Sequence, residues 1–96
     1  MYLVRDIFKC KPGKAKELVN IFKQTIPFME GENISNARLL TDVVSEYWTV
    51  VLETEVETLA DFENRRGFTS KPEVQEIMKD YMTIVEGGKR EIFKIE

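Results

Sequence analysis

The feature that most constrains this chain is the order in which extended and helical patterns follow one another. Strand, helix, strand, strand, helix and strand account for nearly all of its 96 residues. Six elements in so short a chain predict one α+β domain, residues 1–96, in which helices cover one face of a single sheet. A chain of this size buries only about 60 to 65% of its unfolded surface, so covering the second face would matter to its stability.

The first half of the chain begins with residues 2–9, which are rich in aromatic and branched side chains and precede the turn sequence Lys-Pro-Gly-Lys. Apolar residues then recur at helical spacing over residues 15–29, and we expect Pro27 to bend or end that helix. The sequence Glu-Gly-Glu-Asn, residues 30–33, predicts the loop into the next extended segment.

Two strands are predicted in the middle of the chain, over residues 34–44 and 46–54, with a turn at Ser45 between them. The second of them, Glu-Tyr-Trp-Thr-Val-Val-Leu-Glu-Thr, has the highest density of strand-forming residues. We therefore expect it to be a central strand.

The second helical region is predicted in two pieces. Thr58 and Asp61 form a capping pattern for a first, short helix. Ser70 and Glu73 form a second capping pattern, and Pro72 suits the first turn of the helix that follows.

The pair Gly87 and Gly88 is expected to stop this helix before a last strand over residues 89–96. The resulting βαββαβ order is that of a ferredoxin-like split unit. Its simplest arrangement is a four-stranded antiparallel sheet in the order four, one, three, two.

Both faces of this sheet are predicted to be buried. A sheet with one wet face shows clean alternation of apolar and polar residues, whereas here both alternating sets are largely apolar. We therefore expect a homodimer in which the open sheet faces of two copies meet in a barrel-like core. The alternating sets are Leu3 and Ile7 against Tyr2, Val4 and Phe8; Leu39 against Leu40; Val51 against Trp48, Val50 and Leu52; and Phe93 and Ile95 against Ile92.

Composition narrows the possible functions. The net charge of −3 and the absence of long basic runs argue against a nucleic-acid partner. No stretch approaches the roughly 18 apolar residues of a membrane span, and the N-terminus has no secretory signal pattern, so we expect a cytoplasmic protein without a membrane partner. With no histidine and one cysteine, neither a metal nor a cofactor is expected, and Cys10 is interpreted as a small packing residue.

Three segments resemble a known group of proteins. They are Phe-Lys-Cys-Lys-Pro-Gly-Lys at residues 8–14, Ser-Lys-Pro-Glu at residues 70–73 and Val-Glu-Gly-Gly-Lys-Arg-Glu-Ile-Phe-Lys at residues 85–94. The chain resembles, over almost its full length, the dimeric α/β-barrel superfamily and particularly its NIPSNAP-like and antibiotic-biosynthesis-monooxygenase-like members. The resemblance implies a homodimer with a cavity between sheet and helices.

Relatives in this superfamily include cofactor-independent monooxygenases, haem-degrading enzymes and isomerases, so the resemblance leaves the activity open. If the chain is an enzyme, the resemblance implies monooxygenase-like or isomerase-like chemistry without a cofactor. Haem-handling members supply a histidine that this chain lacks. NIPSNAP-like first strands often carry an Arg and then a Tyr, where this chain has Asp6 and Phe8.

Asp6 and Arg38 are the candidates for polar groups in the cavity. Asp6 lies between Val4 and Phe8, on the alternating set that the resemblance places in the cavity, and a buried carboxylate needs a partner. Arg38 is the predicted partner. The pair would be either a structural ion pair or a functional one, with a carboxylate base or an arginine that holds an anionic ligand.

Phe8, Trp48 and Glu53 are the candidate ligand contacts. Phe8 and Trp48 would supply apolar walls, although Trp48 and Tyr47 also suit core or dimer contacts. Glu53 and Glu91 would enter the same cavity or reach solvent.

Three classes of function fit the sequence. The first is a homodimer that binds, and in one version transforms, a small apolar or aromatic metabolite. The second is a non-catalytic dimerisation module. The third, an RNA-binding domain of the same topology, is set aside because residues 47–53 lack the basic and glycine positions of its third-strand motif.

Overall fold

A computed structural model describes residues 1–29 and 31–96, with the side chain of Arg66 outside the description. Glu30, the first residue of the predicted loop, lies outside the described residues. The strands are β1 (Tyr2–Cys10), β2 (Ser35–Thr41), β3 (Thr49–Val56) and β4 (Val85–Lys94). The helices are α1 (Ala15–Thr25), α2 (Leu59–Glu63), α3 (Arg66–Thr69), α4 (Pro72–Ile77) and α5 (Tyr81–Ile84), and a 3₁₀ turn (Ile26–Met29) follows α1.

The four strands form one antiparallel sheet in the order β2-β3-β1-β4. This confirms the predicted order of four, one, three, two and the α+β ferredoxin-like fold. Because β1 and β3 are central, each of them has a hydrogen-bonded neighbour on both sides. Their side chains are therefore the ones that the rest of the molecule can enclose.

Helix α1 packs its apolar stripe onto one face of the sheet, which we call the covered face. Leu18 and Phe22 are buried there, as the helical spacing predicted. The helix ends before Pro27, which lies in the 3₁₀ turn because proline lacks the N–H that a continuing helix needs. The main core consists of Cys10, Leu18, Phe22, Met29, Val50, Leu52 and Ile84, so Cys10 is a packing residue as predicted.

The second helical region is more divided than the predicted two pieces. Thr58 and Asp61 form a reciprocal capping box at α2, as predicted. Pro72 occupies the first turn of α4, also as predicted, but Lys71 rather than Ser70 is its N-terminal cap. None of these short helices is long enough to be stable alone, so packing on the sheet must hold them.

The prediction that Gly87 and Gly88 stop the helix is wrong, because α5 ends at Ile84 and both glycines lie inside β4. Gly88 pairs with Phe8 of β1, and a Cβ at Gly88 would overlap the backbone carbonyl oxygen of Ile7. Nothing lies close to the corresponding position at Gly87. Glycine at residue 88 therefore allows two backbones to approach closely, rather than ending a helix.

The hairpin between β2 and β3 is longer than predicted, and both of its strands are shorter. Tyr47 and Trp48, predicted inside the central strand, precede β3 with φ angles of +68° and +55°. Thr49 N–H donates a hydrogen bond to Asp42 Oδ1 at 3.1 Å, which ties the two ends of the connection together. Tyr47 is 79% exposed and Trp48 is 44% exposed, so neither is a core residue.

Within the described residues, no helix is both long enough and apolar enough to cross a membrane.

Candidate functional site

A buried carboxylate between two arginines lies on the covered face of the sheet. Asp6 of β1 is only 7% exposed. Arg90 lies opposite it on β4, and its Nε donates a hydrogen bond to Asp6 Oδ1. On the other side, Arg65 Nη1 lies 3.8 Å from Asp6 Oδ2. Each carboxylate oxygen therefore faces a different guanidinium group.

Helix α2 positions both arginines through the ring of Phe62. The guanidinium carbon of Arg65 lies 4.1 Å from the ring centroid, and that of Arg90 lies 5.1 Å from it. Arg65 Nε also donates a 3.1 Å hydrogen bond to the Phe62 carbonyl oxygen. These cation–π and backbone contacts restrict the arginines to one region of the covered face.

This cluster lines a cavity of about 210 Å³ between the sheet and the helices, which we call the arginine lobe. Its wall is otherwise mostly apolar or aromatic. Phe8 packs against Phe22 at a centroid distance of 5.0 Å and meets Tyr81 edge-on at 5.9 Å. The lining residues are Asp6, Phe8, Phe22, Met29, Ile34, Leu52, Thr54, Arg65, Phe68, Thr69, Met78, Tyr81 and Arg90.

A second cavity of about 230 Å³, the apolar lobe, adjoins the first. It extends toward Val74 and Gln75 of α4 and has no charged residue in its lining. The two lobes share six lining residues, so they form one elongated space with one charged end and one apolar end. The shared residues are Phe22, Met29, Leu52, Phe68, Thr69 and Met78.

Burial shifts two titratable groups of this cluster. It raises the pKa of the Tyr81 phenol, and the neighbouring Asp6 carboxylate adds to that shift. Tyr81 therefore keeps its proton at neutral pH and remains a hydrogen-bond donor. Burial also lowers the pKa of the Arg65 guanidinium, as does repulsion from Arg90, while Asp6 opposes the shift.

These contacts limit the chemistry that the cluster can perform. A general base needs a free carboxylate oxygen within reach of the proton that it removes. Both oxygens of Asp6 face guanidinium groups, so the carboxylate is placed to orient Arg65 and Arg90. The arrangement suits binding: apolar walls hold the body of a ligand, and a few polar groups orient it.

A second carboxylate between two arginines lies on the other, open face of the sheet. Arg38 Nε donates a 2.6 Å hydrogen bond to Glu53 Oε1. Arg5 Nε lies 2.9 Å from Glu53 Oε2, as an ion pair without hydrogen-bond geometry. Arg5 Nη1 is also 3.7 Å from Glu91 Oε1. Arg38, Glu53, Arg5 and Glu91 are neighbours across β2, β3, β1 and β4, and we call them the charged row.

The structure separates most of the residues that the sequence proposed for the cavity. Asp6 and Phe8 do lie together in the arginine lobe. The predicted pairing of Asp6 with Arg38 is wrong, because the two side chains lie on opposite faces of the sheet. Glu53 neither enters this cavity nor reaches solvent, because the charged row encloses it. Trp48 lines a surface hollow near the β2–β3 connection, away from Phe8.

Sequence reasoning singled out none of Arg65, Tyr81 and Arg90 as site residues. The sequence did contain a signal for Arg90. It lies two residues from Gly88 and two from Ile92 on β4, so the three residues share one face of the sheet. Pairing it with Asp6 needed the register between the first and last strands. Arg65 lies in a short connection between α2 and α3, where no periodic pattern could assign its direction.

Three larger hollows are more open to solvent than the two lobes. The smallest of them adjoins the arginine lobe, with which it shares Asp6, Phe8, Tyr81 and Arg90. Their volumes are about 390, 590 and 690 Å³, and the largest lies under residues 41–48. In the described part of the chain, no group of three or more Cys, Asp or Glu side chains is arranged to hold a metal ion. The two-lobed cavity is therefore the candidate site.

Proteins of known structure share this fold. No family model and no curated protein sequence matches the chain. Among solved structures, a NIPSNAP domain protein of Burkholderia xenovorans superimposes with a TM-score of 0.81 at 15% identity, covering 100% of this chain and 95% of that chain. A NIPSNAP family protein of unknown function from Agrobacterium tumefaciens gives 0.84 at 13% identity, with coverage of 99% and 87%.

A protein of Chloroflexus aurantiacus, named as a candidate antibiotic biosynthesis monooxygenase, gives a TM-score of 0.77 at 11% identity and covers 99% of this chain and 93% of that chain. At such identities the likeness concerns the fold, and one fold hosts many functions. The chain thus has the ferredoxin-like fold of NIPSNAP-domain and antibiotic-biosynthesis-monooxygenase-like proteins, as its sequence suggested.

Proposed function

We propose that this protein is a homodimer that binds a small, largely apolar or aromatic metabolite in the cavity between its sheet and its helices. The observation that carries the proposal is the two-lobed cavity, which has aromatic and aliphatic walls and a confined group of polar side chains. Small-molecule sites commonly combine these two features.

The open face supports the dimeric part of the proposal. The charged row contains equal numbers of arginine and glutamate residues, so its charges compensate one another. Apolar side chains flank it: Leu40, Val51 and Ile7 on one side, and Leu3 and Phe93 on the other. A second copy could cover such a face without supplying a charged partner, and the cover would bury Leu40 and Phe93, which are 37% and 48% exposed.

The molar mass in solution tests the dimer. We expect light scattering across a dilution series to give twice the chain mass, and Leu40→Glu or Phe93→Glu to give the monomer mass. Each substitution places an unpaired charge among the apolar side chains that flank the charged row. Met82→Glu is the matched control, because Met82 is an apolar residue that is 80% exposed but belongs to α5 rather than to the open face. A monomeric parent protein would refute the dimer.

Cavity filling tests the ligand site. Met78 lines both lobes, so Met78→Trp should remove binding of a neutral aromatic probe such as naphthamide, as measured by methyl chemical shifts. Met82→Trp, at an exposed site outside both lobes, should leave binding unchanged. Binding by neither the parent nor the control would overturn the ligand-binding proposal and leave the non-catalytic dimerisation module, which the charged row with its apolar flanks favours.

A further inference from the structure

We propose that the cavity takes an elongated organic anion, a carboxylate carried on an aromatic or aliphatic body. Its carboxylate would lie against Arg65 and Arg90, and its body would pass Met78 into the apolar lobe. This inference rests on the proposed function, because it names the chemical class of ligand for the same cavity.

The charge balance of the arginine lobe is the first argument. Two guanidinium groups line this lobe, and Asp6 is the only carboxylate of its described lining. The lobe therefore holds an excess of one positive charge beside apolar walls. An anionic ligand group would balance that charge, whereas a neutral ligand would leave it uncompensated in a partly desolvated space.

The hydrogen bonds of the two arginines are the second argument. Among the described residues, both guanidinium groups donate hydrogen bonds through Nε alone, Arg65 to the Phe62 carbonyl and Arg90 to Asp6. The 3.8 Å separation of Arg65 Nη1 from Asp6 is too long for a hydrogen bond. The terminal Nη groups remain to bind a planar carboxylate, for which the guanidinium fork is well matched.

The shape of the cavity is the third argument. The arginines line only one of the two lobes, and the other lobe ends at Val74 and Gln75 without a charge. A ligand that fills both lobes would therefore be charged at one end only. Tyr81 lies at the charged end, and its protonated phenol can donate a further hydrogen bond to the carboxylate.

A matched pair of probes separates this inference from the proposed function. Naphthoate and naphthamide have nearly the same size and shape, but only the first is an anion. Calorimetric titration of the parent protein should show at least about tenfold tighter binding of naphthoate, as expected for charge-assisted hydrogen bonds. Equal affinities would refute the anion inference and leave the apolar cavity standing. Binding of neither probe would refute both.

Variants of the arginines sharpen the test. Arg90→Gln should weaken naphthoate binding about tenfold and change naphthamide binding little. Lys89→Gln is the matched control, because it removes the same charge from the adjacent residue of β4, whose side chain contacts Glu91 of the charged row. If the two variants weaken naphthoate binding equally, the effect is a general one of net charge and the inference fails.

Asp6 supplies a measurement that remains informative even if an arginine variant folds poorly. Its negative charge partly compensates the two guanidinium groups and would repel a ligand carboxylate, so Asp6→Asn should strengthen naphthoate binding. If Asp6→Asn weakens the binding of naphthoate and of naphthamide equally, the arginines do not recognise the anionic group.

The length of the ligand is a separate test. Biphenylcarboxylate should bind more tightly than benzoate to the parent protein because it reaches the apolar lobe, and the reverse order would refute the elongated shape.

Discussion

The two faces of the sheet each carry a buried acid between two arginines, and the surroundings make these clusters different. Asp6, 7% exposed on the covered face, lies at the wall of a cavity. Glu53, 5% exposed on the open face, lies in the charged row. That row also contains Glu91, so its two arginines and two glutamates compensate one another. Only the covered-face cluster combines an acid and two arginines with a cavity and an uncompensated positive charge, which is why the binding proposal concerns that face.

The largest expected effect is a loss of stability on substituting Gly88, on the covered face of β4, compared with substituting Gly87 on the open face. We expect Gly88→Ala to destabilise the protein by about 3 kcal/mol, because its Cβ would overlap the Ile7 carbonyl group. Gly87→Ala, which meets nothing nearby, should change stability by less than about 0.5 kcal/mol. Urea unfolding followed by the fluorescence of the single tryptophan, Trp48, measures both. Equal effects would show that β4 pairs with β1 in another register.

The next effect compares the two acids directly. Asp6→Asn should lower the free energy of unfolding by about 2 kcal/mol, because it leaves two neighbouring guanidinium groups without their shared partner. Glu53→Gln should cost about 1 kcal/mol in dilute protein, because Arg5 keeps Glu91 and Arg38 remains mostly exposed.

Protein concentration distinguishes the two acids further. If a second copy covers the open face, the cost of Glu53→Gln should increase with protein concentration while that of Asp6→Asn stays constant. Thermal unfolding at several concentrations provides the measurement. A cost of Asp6→Asn that follows concentration instead would place the interface on the covered face.

The smallest effect is a pH dependence that arises on the covered face. Burial raises the pKa of the Cys10 thiol above its ordinary value of 9.0, with smaller contributions from Asp42 and Glu86. The unfolded chain therefore loses this proton at a lower pH than the folded chain. Stability from this group is complete below about pH 9 and declines as the pH rises toward the folded value.

Cys10→Ala should make the stability flatter above pH 9 than it is in the parent protein, as measured by urea unfolding in the presence of a reductant. Lys9→Ala is the control at a neighbouring exposed position of β1. An identical alkaline decline in the parent and in Cys10→Ala would show that the thiol does not contribute to it.

Local patterns predicted most of the fold. The apolar stripe of α1, the capping box of Thr58 and Asp61 and the position of Pro72 are determined by residues only a few positions apart. The role of Gly88 was wrongly predicted because a glycine pair can end a helix and can also allow two strands to approach closely. Only the tertiary contact with the Ile7 carbonyl group distinguishes these two roles. Trp48 was wrongly predicted inside a strand because strand propensity depends on context. In the structure, Trp48 belongs to the β2–β3 connection, has a positive φ and precedes the first residue of β3.

The sequence by itself determined the order of the elements, and through it the antiparallel sheet with helices on one face. Only the tertiary structure decided which charges meet. Arg90 reaches Asp6 across 84 residues of sequence, and Arg38 meets Glu53 on the opposite face. Strand register determines these contacts, because a shift of one residue moves every side chain of a strand to the other face. No local sequence pattern predicts that register.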